Sequence, residues 1–199
     1  MMKRTNHLKA QRKSALVRAE RTVDSTATIL SQWSRQRSDL NLEPLGMFIG
    51  LAHVYWLTTP RIENLMAGHG ITRGIFDVLT TLRRVGKPFT LAPSQITRSL
   101  LLSPAGLTGR LERLEQEKLV VRLPDPNDGR GLRVRLTAKG LRLVDRILPE
   151  LIELERTLAS GLTARQTAQL TELLDVWVRS FQSPDRTRLD RQPRSGRRT

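Results

Sequence analysis

The side chains of this sequence offer little for catalysis. The three histidines, His7, His53 and His69, stand far apart without clustered carboxylates around them, so a zinc or two-metal hydrolase is hard to build. The sequence has no cysteine, which excludes disulfides, thiolate metal ligands, nucleophilic cysteine and thiol redox sensing. It contains neither a Ser/His/Asp arrangement nor a glycine-rich phosphate loop with its lysine. We therefore expect no enzyme, no metal site and no cofactor.

Arginine and lysine supply the chemistry instead. The 199 residues include 34 Lys and Arg against 19 Asp and Glu, a net charge of +15 that indicates a polyanionic partner. Residues 1–22 have a net charge of +6 and residues 182–199 one of +4, and both ends are poor in large apolar residues. We expect a flexible basic arm at 1–22 and a disordered basic tail at 182–199. These ends either add salt-sensitive grip on nucleic acid or serve only as solubilising termini.

Apolar residues at three- and four-residue steps predict the helices that must position these cations. Pro44 is expected in the loop after the first helix, Pro60 is expected to kink or interrupt the second, and Pro149 to kink a later one. Helices are predicted over 23–37, 45–67, 72–84, 93–101 and 105–118, then from Thr137 to about residue 160 and from Thr163 to residue 181.

No segment of the sequence predicts a membrane span. The longest mostly apolar stretch, 45–57, is shorter than the ~20 residues that cross a bilayer. The start Met-Met-Lys-Arg lacks the apolar run of a secretory signal. We expect a cytoplasmic protein without a membrane partner.

The apolar period changes to alternation after residue 118. Residues 119–123 and 132–136 alternate as strands do, and a turn-rich loop is expected over 124–131. Two short helices followed by a hairpin are the order of a winged helix-turn-helix, here 72–137. We therefore predict a mainly α fold with a small β-hairpin wing.

The two late helices carry more apolar residues than one small domain needs. A homodimer built from 23–67 and 138–181 would cover them. An ordinary intramolecular helical pair would cover about half of these positions. We predict a core domain over 23–181 that contains both the winged lobe and these dimerisation helices.

The segment 91–140 resembles the MarR family of bacterial transcriptional regulators. The wing motif of that family, D-x-R-x-x-x-V-x-L-T, is matched completely by Asp128, Arg130, Val134, Leu136 and Thr137. The order of helices before and after this motif agrees over roughly residues 23–181. The resemblance implies an α-rich homodimer that binds a pseudo-palindromic operator in double-stranded DNA.

The resemblance also implies which residues contact DNA. The helix from Ser103 to Lys118 would enter the major groove, and Arg130 at the wing tip would reach a minor groove while Asp128 orients it. Four further arginines are candidates for phosphate contacts, with a plain solvated surface as the alternative for each. The expected DNA-binding set is Arg98, Ser103, Pro104, Ala105, Gly106, Thr108, Arg113, Asp128, Arg130, Arg133 and Arg135.

One branch of the family responds to urate, and the residue types of its pocket recur here as Trp33, Asp77, Arg110 and Arg122. The resemblance implies that a planar anionic purine stacks on the indole while guanidinium groups balance its charge. Alternatively, Asp77 and Arg110 form a bracing ion pair, Arg122 contacts phosphate and Trp33 lies in a dimer core.

Related regulators sense phenolic compounds or aromatic acids in a nearby cleft. Here His53, Tyr55 and Trp56 would line such a cleft, or belong to a core as one apolar stripe.

The expected function is thus a ligand-responsive repressor whose effector is a urate-like or aromatic acid. The alternative is a ligand-independent, nucleoid-type protein that coats DNA through its basic arms. The complete wing motif and the small residues of the recognition helix favour the specific operator.

Overall fold

The computed structural model describes residues 24–126 and 128–182, and for residues 129 and 130 it describes the backbone only. The predicted arm at 1–22 lies outside these residues, as does the predicted tail except for Gln182. The chain divides into two compact units between Asn64 and Leu65, and each unit is described by itself.

The first unit contains two helices, α1 at Thr26–Gln36 and α2 at Glu43–Gly68, which continues into the second unit. Ser25 caps α1 by accepting a hydrogen bond from the Thr28 amide at 3.1 Å. In the connecting loop, the Arg37 guanidinium donates to Asp39 at 2.8 and 2.7 Å and lowers the pKa of that carboxyl.

Prolines are tolerated in these helices better than the sequence led us to expect. Pro44 lies in the first turn of α2 and not in the loop, because the first turn needs no proline N–H. Helix α2 is also unbroken at Pro60, so the expected interruption was wrong, and the alternative, a kink at Pro60, stays a prediction. A proline removes one hydrogen bond, and a helix of 26 residues retains the bonds of its other turns.

The second unit contains the remaining elements. Helix α3 spans Arg73–Arg84, strand β1 Thr90–Leu91, helix α4 Pro93–Leu100 and helix α5 Pro104–Gln116. Strands β2 at Val120–Asp125 and β3 at Asp128–Leu136 follow, then helices α6 at Ala138–Leu158 and α7 at Ala164–Gln182. Pro149 lies inside α6, which is unbroken there. The predicted fold class, mainly α with a small sheet, is confirmed.

The sheet is larger than the predicted hairpin. Its antiparallel order is β1-β3-β2, with Arg135 opposite Thr90 on one side and Val121 on the other. Strand β1 was not predicted, because its two residues are too few to show alternation. The predicted loop 124–131 was too long, because pairing continues past a register shift at Pro124 and Asp125.

The core of the second unit lies where α3, α5, α6 and the sheet meet. Helix α3 buries one face, as its apolar period predicted, and the side chains of Phe76, Leu79 and Leu82 are fully enclosed. From α5 and β3, Leu107, Leu114 and Val134 enter the same core, and α6 adds Val144 and Ile147.

None of the helices among the described residues has the length and apolar character needed to cross a membrane.

Candidate nucleic-acid interface

The recognition helix predicted by the resemblance is α5, which has two different faces. Leu107, Leu111 and Leu114 are buried. Five residues at its start are small or short and exposed: Ser103, Pro104, Ala105, Gly106 and Thr108. Such residues let a helix approach base edges closely. The face predicted to read DNA is therefore open, and the opposite face is anchored in the core.

Local capping explains why α5 begins at Pro104. The Ser103 hydroxyl accepts a hydrogen bond from the Gly106 amide at 3.1 Å, and Pro104 occupies the first helical position. The Thr108 hydroxyl donates to the Pro104 carbonyl at 3.1 Å, so it is held along the helix. The cap and the place of the proline follow from the Ser-Pro pair in the sequence.

The four arginines predicted to contact phosphates fall into two groups. Arg113 pairs with Glu117 at 3.0 Å, and Arg133 pairs with Asp125 at 2.9 Å. Arg98 and Arg135 are exposed, and no ion pair joins them to a carboxylate in the described part of the chain. Arg98 and Arg135 are thus immediately available to an anion.

The wing is the β2–β3 hairpin. Asp128 opens β3, and the α-carbon of Gly131 lies so close to the acids that an added Cβ would come within 3.0 Å of Asp125 and 3.1 Å of Asp128. The side chain of Arg130, predicted to enter the minor groove, lies outside the described part of the structure.

The predicted ligand residues Asp77 and Arg110 both contact the start of α3, but they do so separately. Asp77 accepts a hydrogen bond from Arg73 at 3.0 Å. The Arg110 guanidinium lies on Gly74 and donates to its carbonyl at 3.4 Å. Asp77 is therefore engaged by Arg73, and the i,i+4 spacing of this pair was visible in the sequence. No spacing in the sequence indicated that Arg110 contacts Gly74.

Arg122 lies at a different place, in an apolar cleft of about 300 Å³ bounded by α4, α5, β2 and β3. Its Nε lies 3.0 Å from an oxygen of Glu115, yet this buried Nε makes no hydrogen bond. The ion pair is thus close in distance but poorly directed. Glu115 is seven residues away in sequence and was not predicted.

Trp33 belongs to the first unit, where its side chain is 49% exposed. The structure therefore brings Arg110 to the helix that carries Asp77 and places Arg122 in a cleft, while the position of Trp33 relative to these residues stays a prediction.

Comparisons with known proteins agree with this geometry. The sequence profile of the MarR family matches residues 69–131. The transcriptional regulator PecS of Dickeya dadantii is 34% identical over 146 residues, which cover 73% of this chain and 88% of PecS. The chain belongs to the MarR family. It is therefore a DNA-binding transcriptional regulator and not an enzyme.

Solved MarR-family structures resemble the described fold. A cysteine-to-serine mutant of Escherichia coli MarR, solved with operator DNA, is 30% identical with a TM-score of 0.59 over 67% of this chain and 93% of that one. AbsC of Streptomyces coelicolor, 21% identical, superimposes with a TM-score of 0.66 over 72% of this chain and 97% of AbsC and supports the fold.

Proposed function

We propose that this MarR-family chain is a homodimeric repressor that binds a pseudo-palindromic operator and leaves it when a small planar anion binds. The anion is a urate-like purine or an aromatic acid. The observation that carries the proposal is the apolar cleft beside α5, with Arg122 as its charged lining residue.

The cleft suits a planar anion. Its volume of about 300 Å³ is at the lower end of small-molecule sites, and Leu107, Leu111 and Leu132 supply apolar walls for a ring. The guanidinium of Arg122 can bind a carboxylate or a urate oxygen through two parallel hydrogen bonds. Because Nε of Arg122 makes no hydrogen bond in the described structure, an anion there would satisfy a buried donor.

The same cleft connects a ligand to the DNA-reading surface. Pro104 and Thr108 line the cleft and also belong to the exposed start of α5. A ligand that displaces either residue changes the orientation of the recognition helix. Such a ligand binds the DNA-bound and the free conformations of the protein with different affinity. This difference is required for the ligand to release the protein from DNA.

Arg110 and Asp77 support the urate-like alternative. Both contact the start of α3, and Arg110 belongs to α5, so a ligand that draws the guanidinium away from Gly74 would also move the recognition helix. The weak, 3.4 Å hydrogen bond of Arg110 is easily replaced by a charged acceptor.

The dimer is supported by the apolar surface of α7. This 19-residue helix buries none of its residues, and Leu173, Val176 and Phe181 are each more than half exposed. In the first unit, Phe48, Tyr55 and Trp56 are similarly exposed. Several large apolar side chains exposed together are typical of interfaces between subunits.

The test uses a DNA duplex selected from a random library by the wild-type protein. Urate and 2-hydroxybenzoate are titrated into the complex at constant ionic strength, and release is followed by fluorescence anisotropy. We expect release by one of them and a matching rise in the melting temperature of the free protein. Arg122→Gln should abolish release by 2-hydroxybenzoate and leave duplex binding intact. Arg156→Gln, at an exposed ion pair on α6, is the matched control.

The two ligand classes give different results. A response to urate that disappears in Asp77→Ala and Arg110→Ala would locate the site at α3. Release by neither compound, nor by related purines and aromatic acids, would contradict the ligand part of the proposal.

A further inference from the structure

Gly74 has no conformational reason to be glycine. It is the second residue of α3 and has an ordinary backbone conformation, whereas Gly70 and Gly86 adopt positive φ angles of 73° and 76°. Inside a helix, glycine is less favourable than alanine because it loses more backbone freedom on folding. Some other requirement must therefore account for the missing side chain.

That requirement is space for Arg110. A Cβ added at Gly74 would lie 2.7 Å from Cζ of Arg110 and 3.0 Å from both Nη1 and Nη2. Since the central carbon is nearest and the two terminal nitrogens are equidistant, the guanidinium lies over the α-carbon of Gly74. Its Nη1 also donates to the Gly74 carbonyl at 3.4 Å. The recognition helix thus touches α3 through a contact that only glycine permits.

We infer that Gly74 is a positioning residue for DNA reading: it provides a seat on which Arg110 holds α5 in the orientation that fits the operator. Arg110 is half-buried and lies two residues after Thr108, on the same helix as the exposed base-reading residues. Displacing the guanidinium therefore changes how those residues are presented. This inference rests on the proposed function only where it concerns ligands.

The contact of Arg110 with Gly74 is weak enough for Arg110 to leave it. Asp77, one turn further along α3, is engaged by Arg73 and forms no ion pair with Arg110 among the described residues. Among the described residues, Arg110 is thus held by shape and one long hydrogen bond, without a carboxylate partner. A ligand anion that attracts Arg110 competes with the Gly74 seat alone.

Gly74→Ala tests the seat without disrupting the fold. The methyl group meets only the end of a flexible side chain, which can swing away, and alanine favours the helix. We expect an unchanged or higher melting temperature and about tenfold weaker binding to the selected duplex. Binding to a shuffled duplex of equal composition should not change. Gly68→Ala, exposed with nothing within 4 Å of the added Cβ, is the matched control and should bind like the wild type.

A double-mutant cycle separates positioning from a general structural effect. Arg110→Ala should weaken binding to the selected duplex, and adding Gly74→Ala to it should cause no further loss, because the guanidinium is gone. Arg110→Lys, which keeps the charge but not the planar group, should bind as weakly as Gly74→Ala. This variant provides the measurement if Gly74→Ala does not fold.

Two results would overturn the inference: Gly74→Ala binding the selected duplex as tightly as Gly68→Ala, or Gly74→Ala losing as much affinity in the Arg110→Ala background as alone. Ligand-induced release from DNA is measured in a separate experiment. If the wild type is released by a ligand at the Arg110 site, Gly74→Ala should respond at about threefold lower concentration. Absence of release in the wild type would contradict the proposed function and leave the DNA cycle as an independent test of the seat.

Discussion

The arginines around α5 differ in whether a carboxylate already forms an ion pair with them. Arg113 and Arg133 are held by neighbouring carboxylates, and those pairs fix the side chains against α5 and β2. Arg98 and Arg135 have no such partner among the described residues. An exposed arginine without a carboxylate gains most from a phosphate, because it breaks no existing pair.

Replacing Arg98 should therefore change how DNA binding depends on salt. In Arg98→Ala, we expect the slope of log affinity against log salt to fall by about 1 for each phosphate that is no longer neutralised, hence by about 2 for a dimer. The ratio of affinities for the selected and shuffled duplexes should stay constant, since phosphates carry no sequence information. Anisotropy titrations at several salt concentrations measure both quantities. An unchanged slope would remove Arg98 from the interface.

At the scale of elements, the close approach of α6 to residues 118 and 119, which join α5 to β2, fixes the base of the wing. Thr137 caps α6, its hydroxyl donates to the Lys118 carbonyl at 2.8 Å, and its amide donates to the Leu119 carbonyl at 3.0 Å. A Cβ added at Gly140 would lie 2.2 Å from that Leu119 oxygen. Here a glycine lets a helix pack directly on backbone.

Gly140→Ala should destabilise the fold far more than Gly74→Ala. The methyl group meets backbone that cannot turn aside, so α6 must shift, and we expect a loss of about 2 kcal/mol in the free energy of unfolding. Urea denaturation measures the change. Gly109→Ala, where a Cβ meets nothing within 4 Å, should be neutral or stabilising. Equal stability of Gly140→Ala and Gly109→Ala would contradict this explanation of the wing base.

At the scale of the whole molecule, the proposed homodimer accounts for apolar surface that a single chain leaves exposed. Helix α7 presents Leu170, Leu173 and Phe181 to solvent although its apolar residues recur with helical period. A pseudo-palindromic operator requires two recognition helices, so the exposed apolar surface and the expected DNA geometry lead to the same assembly.

Leu173→Glu should yield monomers. Leu173 is 67% exposed, so the isolated chain tolerates a charge there, but a partner that buries this position does not. We expect the sedimentation coefficient to fall to that of a monomer and binding to the selected duplex to weaken at least about tenfold. Gln169→Glu, on the same helix, adds the same charge at a polar position and serves as the control. A dimeric Leu173→Glu protein would move the interface elsewhere.

The sequence predicted what is local and missed what is tertiary. Helices that start near Thr72, Ser103 and Thr137 were predicted, and each of these residues caps its helix by accepting a hydrogen bond from an amide only three residues away. The length of the wing was underestimated, since β3 continues through two glycines that weaken alternation. The pairing of Arg122 on β2 with Glu115 on α5 and the contact of Arg110 with Gly74 depend on how separate elements pack, which no spacing in the sequence reveals.

The most direct test is the number of chains bound to DNA, measured by native mass spectrometry on duplexes of increasing length that carry the selected sequence once. We predict two chains per duplex at every length, and a selected sequence with inverted half-sites about one helical turn apart. A number of bound chains that grows with duplex length, without an inverted repeat in the selected sequence, would contradict the account and indicate a protein that coats DNA.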